Sequence, residues 1–476
     1  MSRVAAVVLA AGAGSRFGGS KLLAPLDGRP VLQHVLDSLA AAGLRDVVVV
    51  LGDDADRLEA AIEWRTERRI RNPSPGRGLS SSLLLGFEAA SGAADAILVV
   101  LGDQPLLSAR AVAALVEAPA DGNRPIVVPR FEADGARNPV LIRRPAFDRI
   151  QGAAGDRGLG PLISEYPELV MELSVPGSNP DVDTRNDLRT LDLEAAWAAR
   201  VRANRDQVER FREQEDGADF YAPVSSLFVA DPRRTSEPAL SVLRSLAQPG
   251  ESWLDIGAGA GRYALPLALV VGGVIAVEPS VSMRHALRTG MAEHGVTNIR
   301  IVGQPWPDAA ADLGDSPAAD VALIAHVGYD IEAIGPFLDA MDRHARRLSV
   351  AVMTDQSPAS VADPFWPLVH GEARVPLPAL PELVELLAAR GHEAEVVRVE
   401  RAARTFDSID ALEVFLRRQL WVAPGSAKDG LFQDALTDLA TKRDGGWTLV
   451  DPPAGSIGIV SWVPTAGSAN GADDRP

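Results

Sequence analysis

The chain alternates short, wholly apolar runs with longer segments in which apolar residues recur every three or four positions. Residues 4–9 and 96–101 are runs of Ala, Val, Leu and Ile, too short for a buried helix and rich in β-branched side chains. Each therefore predicts a parallel strand covered on both faces. Residues 47–51 repeat the pattern, and a third short strand ends at Ile70, before Asn72-Pro73. Residues 30–42 place Val31, Val35, Leu36 and Leu39 on one helical face with Gly43 as a stop, and 54–63 continue as a helix. The alternation resumes after residue 237: helices over 237–246, 331–345 and 381–390, and strands over 251–256, up to Glu278, 298–302, 320–325, 348–353, 395–399 and 457–463. Between the two sets, 193–214 has no glycine or proline and has Trp197, Val201, Val208 and Phe211 as sparse large apolar positions, the pattern of one long charged helix. The whole predicts an α/β protein of two doubly wound domains, residues 1–195 and 219–464, with a helical connector at 196–218 and a small, polar, disordered tail at 465–476.

Length agrees, since 476 residues exceed what one core usually supports. The formal charge of −17 is uneven, −5 over residues 1–195 and −12 over the remainder. An acidic second half argues against a nucleic-acid partner gripped through its phosphates. The absence of cysteine excludes disulfides, thiolate metal sites and a cysteine nucleophile. The longest apolar stretch, 263–277, is broken by Pro266 and Gly272-Gly273 and is shorter than a membrane span requires. A cytoplasmic protein without a membrane partner is expected.

The first strand feeds straight into Ala10-Ala11-Gly12-Ala13-Gly14-Ser15-Arg16-Phe17-Gly18-Gly19-Ser20-Lys21. Glycines let such a loop turn tightly and bring its N–H groups against phosphate, while Arg16 and Lys21 add positive charge. Lys21 is one of three lysines beside 44 arginines. A chain that otherwise uses arginine has placed a compact ammonium here, which indicates a need for a point charge. Farther on, Gly76 and Gly78 precede Ser80, Ser81 and Ser82 at the start of a helix, whose free N–H groups suit a nucleotide. The strand over 96–101 stops at Gly102-Asp103-Gln104-Pro105, so Asp103 stands at the carboxyl end of a central strand, where a carboxylate can hold magnesium against phosphates.

The loop Leu9-Ala10-Ala11-Gly12-x-Gly14-x-Arg16-x-Gly18-x-x-Lys21 resembles that of the NTP-transferase family that includes the molybdenum-cofactor guanylyl- and cytidylyltransferases. Gly135–Leu141, Gly155-Asp156-Arg157-Gly158 and Asp181-Val182-Asp183-Thr184 follow in the order expected for the family, so the resemblance covers about residues 3–190. It implies magnesium-dependent nucleotidyl transfer from CTP or GTP to a small phosphorylated acceptor, with molybdopterin the acceptor of that family and a phosphorylated sugar or alcohol the alternative. Carried over by position, Leu9, Ala11, Gly12, Gly14, Arg16 and Lys21 bind the nucleotide, Ser80–Ser82 lie beside base and ribose, and Asp103 binds the metal. Asp183 reads equally as a second metal ligand or as a helix N-cap. Ala-Ala at 10–11, in place of Ala-Gly, goes with cytidylyl transfer.

In the second half, Leu254-Asp255-Ile256-Gly257-Ala258-Gly259-Ala260-Gly261-Arg262 follows a strand, and Glu278 ends the next strand 17 residues after Gly261. The dinucleotide fingerprint would need glycine where Arg262 stands, which disfavours NAD. Residues 219–464 resemble the class I S-adenosylmethionine-dependent methyltransferases, with a seven-stranded sheet. Asp255, Gly257, Gly259, Gly261 and Glu278 match the family's cofactor residues. Gln304 and Trp306 stand where many members carry an acidic residue near adenine, Gln304 able to hydrogen-bond and Trp306 to stack. Tyr221 and His326 are substrate-facing candidates, weighed against simple packing. The expected protein is a fusion of both enzymes with an unknown methyl acceptor. Its rivals are a nucleotidyltransferase whose methyltransferase-like half only binds a nucleoside or partner, and a sensor that turns over neither cofactor.

Overall fold

A computed structural model of the chain describes residues 3–464 except 13, 15, 133–134, 151–157, 214–216, 218, 315, 402–403, 444 and 452–454. The expected tail at 465–476 and the 155–157 part of one motif lie outside these. The chain divides into two compact units, Met1–Asp192 and Leu193–Pro476. Among the described residues no helix is long and apolar enough to cross a membrane.

The first unit is built on strands β1 (Val4–Ala10), β2 (Val47–Leu51), β3 (Arg68–Arg71), β4 (Ala96–Leu101), β5 (Ile126–Phe131), β6 (Val140–Arg143) and β7 (Val170–Val175). They form one sheet in the order β3-β2-β1-β4-β6-β5-β7. β1 pairs in parallel with both β2 and β4, while β6 is antiparallel to β4 and β5. The continuous apolar runs are explained by cover on both faces: Ala6 and Val8 enter one cluster with Leu32, Val35, Leu36 and Leu39, and Ala5, Val7 and Leu9 enter another with Leu83 and Phe87. The first of these layers is the helix α1 (Val31–Ala41), the second α2 (Leu79–Ser91). Gly86 lets α2 lie close on the sheet, since a Cβ there would come 2.4 Å from Val7 Cγ1.

The second unit holds β8 (Ser252–Ile256), β9 (Gly273–Val277), β10 (Ile299–Val302), β11 (Ala319–Ala325), β12 (Ala345–Thr354), β13 (Glu395–Glu400) and β14 (Ser456–Trp462). Their order is β10-β9-β8-β11-β12-β14-β13, with only β14 reversed. Both units are thus α/β with a seven-stranded mixed sheet. Between β13 and β14 the chain inserts helices Ile409–Leu420 and Ala427–Leu439, which bury Leu412, Leu416, Leu420 and Phe432 in a satellite cluster.

The long charged helix is α3, Arg185–Phe211. It begins earlier than its sparse apolar pattern indicates, because Thr184 and Asp187 form a reciprocal cap. Thr184 Oγ1 accepts from Asp187 N at 3.1 Å, and the Asp187 carboxylate accepts from Thr184 N at 2.7 Å. The part expected as a connector is not a free spacer: Trp197 and Val201 are buried in the main core of the second unit and Val208 in its satellite cluster. Charged residues alone dominate the pattern because only a narrow stripe of this helix faces inward.

Candidate functional site

In the first unit β1 delivers the glycine loop to the carboxyl edge of the sheet. Gly14 has φ +57°, and a Cβ there would come 2.6 Å from Gly19 O, so the loop folds back on itself where only glycine fits. Gly52, just past β2, presses on the same loop, for its Cβ would come 2.6 Å from Ala11 O. Lys21 opens one short turn, Lys21–Leu23, and its half-buried ammonium donates to Asp103 Oδ2 and, at 3.1 Å, to Asp183 Oδ1. Arg16 reaches the other oxygen of Asp183 at 3.0 Å.

The two carboxylates, far apart in sequence, are held together by the backbone and by an amide pair. Val182 N donates to Asp103 O at 2.9 Å. Gln104 Nε2 donates to Asn179 O at 3.1 Å, and Asn179 Nδ2 donates to Gln104 Oε1 and Asn138 O, both at 3.0 Å. Burial works against the charge of Lys21, but Asp103 and Asp183 outweigh it and raise its pKa above the ordinary lysine range. Asp181 is pushed up to about 6, by burial first and then by the charges of Asp103 and Asp183.

Leu9, Gly12, Gly14, Arg16, Lys21, Asp103 and Asp183 all line one pocket of about 150 Å³. Ala11 lines its neighbour, of about 230 Å³, with Asp53, Asp54 and Arg57. A third pocket, of about 580 Å³, shares Leu9, Leu79 and Leu101 with the first and extends past Leu83 and Val99 to Arg137 and Glu172. Ser81 and Ser82 have partners within the protein. Asn72 Nδ2 donates to Ser81 Oγ at 2.8 Å and to Ser82 Oγ at 2.9 Å, so these hydroxyls pin the loop that leads into α2. Ser80 is buried, and Leu79 rather than a serine side chain faces the pocket. Asp183 is not the helix cap. That role falls to Thr184, which leaves the Asp183 carboxylate to Lys21 and Arg16.

No three acidic or histidine side chains among the described residues form a metal cluster by themselves. The residues nevertheless fit a hard cation, because Asp103 and Asp183 already converge on one positive charge, and magnesium is commonly held by one or two carboxylates plus substrate phosphates.

At the carboxyl edge of the second sheet, Glu278 follows β9 and is 5% exposed. Its Oε2 accepts from Gly259 N and its Oε1 from Ser280 N, both at 2.8 Å. Burial raises the pKa of Glu278, against those two N–H groups, which lower it. Asp255, 1% exposed, is pushed up to about 7 by burial and by Glu278, and its Oδ1 has no hydrogen-bond partner among the described residues. Gly257 and Gly261 have φ +77° and +87°, and a Cβ would strike Val327 and Leu287 respectively at 2.5 Å. Gly259, at φ +57°, instead has open space where a Cβ would stand. A cradle at Gly259 beside the Glu278 carboxylate suits a nucleoside cofactor.

Gln304 is exposed just beyond β10. Trp306 does not offer a stacking face: it is buried in the core, donates Nε1–H to Phe337 O at 3.2 Å and meets His344 edge-on. Tyr221 is exposed and edge-on to Phe220 and Phe228. Two residues before it, Asp219 accepts from Ser282 N at 2.8 Å and Ser280 Oγ at 2.9 Å and is lowered to about 2, chiefly by the Ser282 N–H.

Residues 6–169 match the model of the MobA-like NTP transferase domain. The chain is also 33% identical over 195 residues to nicotine blue oxidoreductase of Paenarthrobacter nicotinovorans, covering 38% of this chain and 92% of that protein. Through its first unit the chain belongs to the MobA-like NTP transferase family. Among other relatives, the bifunctional protein GlmU of Sphingopyxis alaskensis is 35% identical over 127 residues, 26% of this chain and 28% of its own length. The chain thus spans little more than a quarter of that relative. A candidate methyltransferase from Bacillus halodurans C-125 covers 48% of this chain and 100% of its own at 14% identity and a TM-score of 0.36. At that score the likeness carries no argument, and the second unit is read from its own strand order and residues.

Within the MobA-like unit, sequence reasoning missed Gln104, Asn179 and Asn72. Each acts through a long-range amide contact that no local spacing records. Asp181 had a local signal, the Asp-x-Asp spacing with Asp183, but its burial had none.

Proposed function

We propose that the first unit is a divalent-metal-dependent nucleotidyltransferase, favouring CTP over GTP, and that the second is an S-adenosylmethionine-dependent methyltransferase. The observation that carries the first reading is the convergence of Asp103 and Asp183 on Lys21 Nζ beside the glycine loop. Magnesium held by those carboxylates would supply Lewis-acid charge to the phosphates. Lys21 and Arg16 present positive charge to the triphosphate, and the loop N–H groups at Gly12 and Gly14 orient it. Leu9, Leu79 and Leu101 keep the pocket wall dry. An acceptor phosphate attacks the α-phosphate in line and pyrophosphate leaves, so no side-chain nucleophile is needed. A phosphorylated small molecule is the acceptor class, with molybdopterin, and hence molybdenum-cofactor biosynthesis, the first candidate and a sugar or alcohol phosphate the second.

Base choice falls on Ala11, whose Cβ takes space on the loop that a purine's second ring would use, while Gly52 at its back keeps Ala11 from retreating. A methyl-sized difference corresponds to roughly 1–3 kcal/mol, so CTP should be preferred by tens of fold and Ala11→Gly should admit GTP. The test is pyrophosphate release from CTP and GTP with molybdopterin and with sugar phosphates as acceptors. Preference for GTP sinks the base assignment, and turnover without pyrophosphate release would point instead to an oxidoreductase, the activity in the Paenarthrobacter relative's name.

The second reading is supported by the open cradle at Gly259 and the Glu278 carboxylate that holds it. Calorimetry with S-adenosylmethionine tests it. Glu278→Ala should weaken binding by roughly 1–3 kcal/mol, the scale of hydrogen bonds to a charged group. Binding without methyl transfer to any acceptor would leave a nucleoside-binding module.

A further inference from the structure

The second unit carries a basic cluster that neither reading uses. β8, β11 and β13 run in the same direction, so the residues that follow them emerge at one edge of the sheet. Arg262 follows the glycine loop after β8, His326 directly follows β11, and Arg401 directly follows β13, with Arg404 three residues on. Gly259 and Glu278 lie at the same edge. Open α/β sheets bind their ligands outside the carboxyl ends of the strands.

Three features mark this cluster. The first is that two of the three arginines, Arg401 and Arg404, lack a counter-charge among the described residues in a half of the chain that is otherwise acidic. Glu237 is already shared, pairing with Arg234 at 2.6 Å and Arg262 at 3.0 Å and accepting from Tyr263 Oη at 2.7 Å. Arg401 and Arg404 have no carboxylate partner among the described residues, Arg404 lying instead over the rings of Phe406 and Phe415. The second is strain: His326 has φ +57°, a conformation costly for a non-glycine residue and concentrated at functional sites. The third is an unused polar atom, His326 Nδ1, buried without a hydrogen-bond partner. These groups feel one another. His326 is lowered to about 4, by burial first and then by Arg262 and Arg401, with Glu237 opposing, and Arg404 is lowered by burial and by Arg262 and Arg401.

We propose that Arg262, Arg401 and Arg404, gathered about His326, bind an anionic group, carboxylate or phosphate, of the small molecule that the second unit methylates. The class of acceptor rests on the methyltransferase reading; the anion site itself does not. An anion set among the guanidiniums offsets their mutual repulsion and gives the Nδ1 of His326 a neighbour that favours its protonated form.

The experiment follows the imidazole of His326 by proton NMR in the full chain, assigned with His326→Gln, during pH titrations at constant ionic strength. Acetate and inorganic phosphate are the two probes. The pKa of His326 should rise by at least about one pH unit with one of them, and that probe names the group on the acceptor. The Arg401→Gln, Arg404→Gln double variant should lose the response. A His326 titration indifferent to both anions, or a double variant that responds like the wild type, overturns the proposal. Calorimetry with S-adenosylmethionine on the same samples keeps the two readings apart: an intact anion response with no cofactor binding sinks the methyltransferase and keeps the anion site.

Discussion

At the scale of residues, Lys21 is the internal counter-ion of two carboxylates drawn from 82 and 162 residues away. Removing it has two consequences of opposite sign. Lys21→Ala should lower nucleotidyl transfer roughly 100- to 1000-fold, as loss of one charge-stabilising donor does. Manganese alone should bind the variant more tightly than the wild type, because Asp103 and Asp183 are left with no cation between them. Pyrophosphate release and manganese titration check the two halves, and weaker metal binding by the variant would remove Asp103 and Asp183 as ligands. Asp255 gives a prediction in pH. Its folded pKa, about 7, lies above the ordinary value of 3.8. The folded state therefore holds a proton that the unfolded chain has released, and its contribution to stability is present below about pH 4 and lost as pH rises through about 7. Asp181, raised to about 6, acts in the same direction in the first unit. Urea midpoints of the second unit should fall over this window, and Asp255→Asn should flatten the fall. An unchanged slope would mean that Asp255 is ionised throughout.

At the scale of elements, the strands that stand out most plainly in the sequence are the wholly apolar ones buried on both faces. β1, β2 and β4 are continuous apolar runs because helices cover them above and below, and the glycine loop of the first unit stands out because it follows such a run. β5, β6 and β7 were hidden: β5 carries Pro129 and Arg130 within it, β7 is only partly buried, and β6 has only four residues and is reversed, so no α/β repeat frames them. Lys21, Asp103 and Asp183 were legible as separate candidates, but their meeting depends on Gln104 and Asn179, whose amides pair across 75 residues. The contacts of Ser81 and Ser82 were hidden for a related reason. A hydroxyl at a helix start gives no local sign that it also takes the amide of Asn72. The amide pair can be tested as an element of positioning. Gln104→Ala removes both hydrogen bonds that Gln104 makes to buried Asn179, which should cost roughly 1–3 kcal/mol of stability. It should also lower kcat for nucleotidyl transfer with little change in KM, since Asp103 and Asp183 lose register while the glycine loop stays intact. A loss of stability with kcat preserved would confine the pair to packing.

At the scale of the whole molecule, the boundary between the units falls inside α3, and where the chain is cut decides whether the second unit survives. Leu188 and Leu191 pack with Phe17, Leu26, Val31 and Val182 in the first unit. Trp197 and Val201 belong to the second: Trp197 is buried and donates Nε1–H to Ile331 O at 3.0 Å. Farther along, Asn204 Nδ2 donates to Val375 O at 2.5 Å, and Gln207 donates to Ala373 O at 2.8 Å and accepts from Val375 N at 2.8 Å. Cutting at 215, as a free connector would allow, strips all of these. Loss of one large buried aromatic costs about 3–5 kcal/mol, against a typical total of about 5–15 kcal/mol. Residues 1–192 and 193–476 should therefore each fold and unfold cooperatively, whereas 215–476 should be insoluble or melt without a cooperative transition. Circular dichroism and urea titration of the three pieces decide it. If 215–476 is as stable as 193–476, the inward stripe of α3 contributes nothing to the second core, and the helix is a connector after all.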